Sequence, residues 1–476
     1  MNISSLWPEV ILTAIALTIL VLDFFVGKEN KSILGYLSVL GLIALIPVSI
    51  VTVDTNVSFG GMIKADGFAA FFNVVFLVSA AFTILISLDY TKKMNIQRGE
   101  YYYLTLFATL GMMIMASAND FVNLYVGLET MAVSFYVLVA IRADNRKSVE
   151  GALKYFVLGA LSSGILLYGI SFAYGFTGTT SLSGIASIGS KFSSENPYLL
   201  LALALIIVGF SFKIAAFPFH VWSPDAYEGA PVPVAAFLSV GSKAAAFAVF
   251  LRVFVAAFPA FRGHWIGLLW MLSASTMFFG SVVAISQRNI VRMLAYSSIA
   301  HAGIMLMGLL VYSDVGSAGI LYYLAVYAFM NMGAFAVVAM SVRNDGKGAD
   351  IADYRGLAYK RPLTAFLFAL FLLSLAGIPP TGGFTAKFFI LAAAVKSSYY
   401  YLAAIGVLST VIALFFYARV IFHMYMREPV EAEEPPAIGA AYGIVLFLSA
   451  AGTVVMGVYP APFMDMALKV IKPFFM

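Results

Sequence analysis

The 476-residue chain is 62% hydrophobic and only 11% charged, where soluble domains carry about 45–50% apolar and about 25% charged residues. That excess excludes an ordinary soluble core and calls for a bilayer, which takes roughly 20 apolar residues per helical span. With no cysteine and a formal net charge of only +5, disulfides, cysteine-ligated iron–sulfur clusters and nucleic-acid binding find no support.

The N-terminus lacks the basic start of a signal peptide. The first lysine is Lys28, so Glu9 and the apolar run from Val10 to Val26 read as a retained first span. Apolar runs separated by polar or basic breaks give about 14 spans. They are 7–27, 33–53, 66–90 and 101–118, then 120–141, 150–176, 197–221 and 231–257. After these come 264–286, 288–311 and 317–342, and finally 363–395, 399–426 and 436–459. The connections are short, so residues 1–476 read as a single all-α membrane domain.

Sixteen Lys and Arg residues fall in the odd-numbered connections, among them Lys28, Arg142, Lys147, Arg292 and Arg361. Lys64, Lys191, Arg262 and Lys396 in the even connections and Lys469 and Lys472 in the C-terminal tail make six. The positive-inside rule then sets the odd connections in the cytoplasm and both termini outside.

Two spans are interrupted. Pro218 in the seventh lacks an N–H and its ring clashes with the carbonyl of Ile214, so the helix must kink or break. The twelfth contains Gly377-Ile-Pro-Pro-Thr-Gly-Gly383, which no regular helix crosses. Freed backbone groups at membrane depth survive only inside protein or beside water. Five spans separate the breaks, and an odd offset inverts topology, as in an inverted repeat with a transport route between its halves. Proline kinks without function are the plainer reading of each break taken alone.

A charge at the centre of a span costs roughly 2.5–3.5 kcal/mol, yet five titratable residues fall near mid-depth on five spans. They are Glu129 on the fifth, Lys213 on the seventh, Lys243 on the eighth, His301 on the tenth and Lys387 beyond the break of the twelfth. Together they suggest a polar chain within the membrane plane. Low dielectric favours an uncharged amine and a nearby carboxylate favours an ammonium, so Glu129 and Lys213 read as a switch. A histidine between lysines suits a relay. Plainer readings stand beside these: a static Glu129–Lys213 ion pair, snorkelling of Lys243 and Lys387, and a core His301 bonded to a serine hydroxyl. Lys154 reads as a snorkelling residue, and Arg419 and His423 as interfacial. Asp225 and Glu228 read as loop residues, either taking up protons or simply solvated. Four scattered histidines and the lack of a glycine-rich nucleotide loop argue against a haem or nucleotide on this chain.

The stretch Phe217-Pro-Phe-His-Val-Trp-Ser-Pro-Asp-Ala-Tyr-Glu-Gly-Ala-Pro231 resembles the signature of the antiporter-like subunits of complex I. So does Met293-Leu-Ala-Tyr-Ser-Ser-Ile-Ala-His301. The resemblance spans nearly the whole chain. It implies a 14-helix fold of two inverted five-helix repeats, here 101–257 and 264–426, with broken seventh and twelfth helices. It also implies proton transfer by Glu129, Lys213 and Lys243, to which the mid-span placement read above adds His301 and Lys387.

M-type subunits and the related antiporter subunits carry glutamate after the second break, where this chain has Lys387. The L-type has lysine there but adds a long lateral helix, and only 17 residues follow the last span here. The remaining complex I type is the match. That match implies a subunit of a bacterial inner-membrane NADH:quinone oxidoreductase that translocates protons and holds no redox centre itself. NADH, FMN, iron–sulfur clusters and quinone would bind partner subunits. An M-type subunit would lie on one side and a small K-type subunit on the other. A multisubunit sodium/proton antiporter and a membrane-bound hydrogenase-type complex use the same module and are the alternatives.

Overall fold

The protein is described by a computed structural model covering residues 6–54, 57–189, 196–344, 346–429 and 439–475; Lys191, counted above, lies outside the described residues. Helices begin where the sequence supplies short polar caps. Asp66, Asp120, Asn145, Asn196, Asn289 and Ser313 each accept backbone N–H groups of the helix that follows. The spans so started are Gly67–Lys93, Phe121–Val139, Arg146–Thr177, Pro197–Lys213, Ile290–Leu310 and Asp314–Ser341, the third, fifth, sixth, seventh, tenth and eleventh.

Among the described residues, 11 helices are long and apolar enough to cross a membrane, and the chain is a multi-pass membrane protein. The other three expected spans are the fourth, Glu100–Ser117, and the two interrupted ones. The fourth opens on glutamate and three tyrosines, which lower its hydropathy. The seventh stops at Lys213, and the chain turns before a short helix, Ser223–Gly229. The twelfth divides into Pro362–Ala376 and Gly382–Lys396. Both breaks fall where the prolines and glycines place them.

The eighth span departs from expectation. It runs from Val232 to Ala257, but Leu238–Ser242 and Arg252–Ala257 are π-helical. Such insertions leave no mark in apolar periodicity, and they recur at functional sites. The first of them ends on the residue before Lys243.

The core lies around the third, eighth, tenth and eleventh spans, with the eighth buried on every side. The first (Trp7–Phe25), second (Ser32–Val51), sixth and thirteenth (Tyr400–Met426) turn Val, Leu, Phe and Tyr outward. Small residues let helices approach closely. A Cβ on Gly111 would lie 2.5 Å from the backbone of Met131, and one on Gly280 would lie 2.6 Å from that of Ala300. The fourth and fifth spans, and the ninth (Arg262–Ser286) and tenth, pack at these contacts.

Arg252, a charge not singled out above, is 3% exposed and anchors the eighth span. Its guanidinium meets Asp66 at 2.7 Å and the Ala116 carbonyl at 2.6 Å, with its plane over Phe68 at 4.7 Å. It thereby ties the eighth span to the start of the third and the end of the fourth. Removing one partner of a buried pair costs about 3–5 kcal/mol because the other charge stays behind. Arg252→Met should lower unfolding stability by about that much, and adding Asp66→Asn should recover part of the loss. Thermal unfolding of the single and double variants checks this; equal stability of wild type and Arg252→Met contradicts it.

Candidate functional site

The five charges sit on the elements expected, and the structure gives each a different setting. Glu129 is half-buried, and the Ser163 hydroxyl of the sixth span donates to its carboxylate at 2.5 Å. On the same span Val122, Val126 and Val133 are exposed, so this flank of the chain is open. Lys213 is the last residue of its helix and is buried, and among the described residues its ammonium has no hydrogen-bond partner. It lies within electrostatic reach of Glu129 but not within ion-pair distance, and 5.9 Å from the Phe212 ring. The two residues are therefore neighbours out of contact.

The break beyond Lys213 is held by protein groups, as backbone at membrane depth requires. The Ala216 N–H returns to the Ser211 carbonyl at 2.9 Å, and the Phe217 N–H reaches the Thr276 hydroxyl at 3.0 Å. The Trp222 indole donates to the Phe212 carbonyl at 3.1 Å while stacking on Tyr155.

Lys243 is buried and donates to both oxygens of Ser298, the carbonyl at 2.5 Å and the hydroxyl at 2.6 Å. Ser298 lies three residues before His301, on the same face of the tenth span. His301 is bonded through Nδ1 to the Tyr323 hydroxyl at 2.5 Å and through Nε2 to the Tyr417 hydroxyl at 3.3 Å. Tyr417 also bonds Ser297. The partners of the imidazole are thus tyrosines, not serine. A cavity of about 10 Å³, lined among others by His301, Lys387, Ser409 and Thr410, joins the histidine to the last lysine. Its size is on the order of one water molecule.

Lys387 donates to the carbonyls of Leu375 and Ala376 at 2.8 and 3.0 Å. These are among the carbonyls left open where the first half of the twelfth span ends, so the cation sits at the negative end of that helix dipole. Gly377 makes the turn possible with φ at +87°, and a Cβ there would lie 3.0 Å from Lys387 Cδ. The Ser374 hydroxyl accepts from the Gly383 N–H at 3.1 Å and bridges the two halves.

The connection after the seventh span needs correction. Asp225 and Glu228 are on the short helix Ser223–Gly229, not in a loop, and they are ion-paired. Arg292 meets Asp225 at 2.5 Å and Glu228 at 2.9 Å, Lys154 meets Asp225 at 2.7 Å, and Lys147 meets Glu228 at 2.7 Å. Burial raises the Asp225 carboxyl, but hydrogen bonds from Lys154 and Arg292 outweigh it and hold the group below the usual carboxylate range. Lys154 ends in this cluster rather than at a lipid headgroup. Arg419 caps the ninth span, donating to the carbonyls of Ile285 and Gln287 at 2.7 and 2.5 Å.

Ser163, Ser298, Tyr323 and Tyr417 were not singled out in the sequence. Only Ser298 carried a signal there, its spacing from His301. Among the described residues no group of three or more His, Asp or Glu is arranged to hold a metal ion.

A helical membrane fold with two broken spans and buried lysines beside a histidine defines an antiporter-like proton-handling subunit. The family model described as NADH:quinone oxidoreductase/Mrp antiporter, TM, matches residues 118–413, and the chain belongs to that family. It is 42% identical to the NADH-quinone oxidoreductase subunit N of Trichlorobacter lovleyi, over 99% of this chain and 97% of that one. A chain of respiratory complex I from Thermus thermophilus superposes with a TM-score of 0.82 at 30% identity, over 96% of this chain and 98% of that one. A chain of the Mrp complex from Dietzia superposes with a TM-score of 0.88 at 20% identity, over 100% and 98% of the two chains, and shares the fold.

The tight turn at Gly377 gives a direct check. A side chain in left-handed backbone costs about 1–2 kcal/mol, and here Lys387 adds crowding. Gly377→Ala should destabilise by at least about that amount, whereas Gly175→Ala, in open space on the sixth span, should be neutral or stabilising by up to about 1 kcal/mol. Thermal unfolding of the two variants side by side decides it; equal effects contradict the assignment.

Proposed function

We propose that this chain serves as subunit N of a proton-translocating NADH:quinone oxidoreductase. In this reading it moves protons along Glu129, Lys213, Lys243, His301 and Lys387 while NADH is oxidised and quinone reduced on partner chains. The observation that carries the reading is the linkage from Lys243 through Ser298 and His301 to Lys387, by hydrogen bonds, one helix face and a water-sized cavity. Each of these groups holds or releases a proton, and hydroxyls and water pass it on. Lys213, buried beside Glu129 with no hydrogen-bond partner among the described residues, is suited to a switch. Closure on the carboxylate favours its ammonium form, and separation favours the amine.

The repeats 101–257 and 264–426 fit the matched breaks and the matched glycine contacts of the fourth–fifth and ninth–tenth pairs. The basic odd connections support a bacterial inner-membrane location with both termini periplasmic. The absence of cysteine fits redox centres on other subunits. The partners are other complex I subunits, an M-type chain on one side and a K-type chain on the other, and the open flank beside Glu129 suits one such contact. The rival readings are a sodium/proton antiporter subunit and a hydrogenase-type subunit. Lys387 and the named relatives favour the oxidoreductase.

Glu129→Gln and Lys213→Ala should each impair NADH-driven proton uptake into inverted vesicles while the complex still assembles, and Glu129→Asp should be milder. Full pumping in both at normal subunit levels refutes the switch.

Lys387→Ala should also impair pumping, and Lys387→Glu should retain partial activity with an altered pH profile. An alanine variant that pumps like wild type across a pH series removes Lys387 from the route.

A further inference from the structure

A second polar pocket lies away from the lysine row, at the membrane face where the first span begins, the second ends and the third begins. Glu9 is buried in the first turn of the first span; the Ser117 hydroxyl of the fourth span lies beside its carboxyl, but among the described residues its Oε2 has no hydrogen-bond partner. Asn73 of the third span is buried likewise, with its Oδ1 unpartnered among the described residues. Both line a cavity of about 10 Å³ together with Ser49 and Thr52 of the second span and its end.

The two hydroxyl protons are already committed, Ser49 to the Leu45 carbonyl at 3.0 Å and Thr52 to the Val48 carbonyl at 2.8 Å. Their oxygens therefore offer lone pairs to the cavity. Among the described residues no basic side chain is ion-paired with Glu9; Lys64 and Arg252 pair with Asp66 instead.

We propose that this pocket binds a small monovalent cation of sodium's size through Glu9, Asn73, Ser49 and Thr52. A carboxylate, an amide oxygen and two hydroxyl oxygens form a hard, all-oxygen donor set, which suits hard cations and not soft metals. A buried carboxylate left without a counter-charge is costly. One carboxylate matches one positive charge, whereas a divalent ion would leave the pocket with a net charge in a low-dielectric place. The volume holds a single ion or water. The pocket joins the first three spans, which lie outside the spans carrying the lysine row. Its role is therefore to fasten these spans together, independent of proton transfer.

The test is thermal unfolding of the full-length chain in detergent, with NaCl, KCl or choline chloride at constant ionic strength. The wild type should gain several degrees in midpoint, saturably and for sodium above the other two. Glu9→Gln should lose this response. Ser49→Ala, a small change within a helix, should keep the fold and shift the sodium dependence to several-fold higher concentration. Identical midpoints in the three salts overturn the proposal, as does an undiminished sodium response in Glu9→Gln or Ser49→Ala. A midpoint that follows pH and ignores sodium also overturns it, and assigns Glu9 as a protonated donor to Asn73.

Discussion

Hydrocarbon offers no hydrogen bonds, so every polar group this chain carries to membrane depth has to be answered from within the protein. The lysines answer in different ways. Lys387 takes the open carbonyls at the end of a half-helix, and Lys243 takes both oxygens of one serine. Lys213 has the Phe212 ring and a carboxylate beyond contact distance. The breaks in the seventh and twelfth spans follow from the same constraint. A continuous helix spends its carbonyls on itself, while an interrupted one releases them where a cation or an indole N–H can use them.

This explains why the buried charges cluster on interior elements. The eighth and tenth spans, which carry Lys243 and His301, are almost wholly enclosed. Outer spans supply hydroxyls and shape instead, such as Ser163 of the sixth and Tyr417 of the thirteenth. At the rim, where water competes, the pattern changes to conventional ion pairs among Lys147, Lys154, Asp225, Glu228 and Arg292.

The sequence made legible whatever depends on composition and on backbone-breaking residues. Span number, both interruptions and the five titratable positions followed from hydropathy, from Pro218, Pro379 and Pro380, and from the rarity of charges in apolar runs. Geometry that arises between distant helices was not legible. Tyr323 and Tyr417 look like any membrane tyrosines until three helices bring them to His301. The π-helical turns of the eighth span hide within an apolar run. Arg252 lies near the end of a span, and nothing in the sequence marks its partner Asp66, far away along the chain. The separation of Glu129 and Lys213 depends on side-chain choice, and Ser163 wins that choice here.

The half-buried setting of Glu129 bears on the life of the chain before assembly. On the same span four valines, Val122, Val126, Val133 and Val137, face outward, as residues bordering lipid do. A carboxylate on such a border is tolerated in lipid only at a cost, and a neighbouring subunit that covers the flank relieves it. An orphan copy thus keeps a carboxylate at its lipid border until a neighbour covers that flank. A carboxylate so placed would link the fate of the chain to its incorporation.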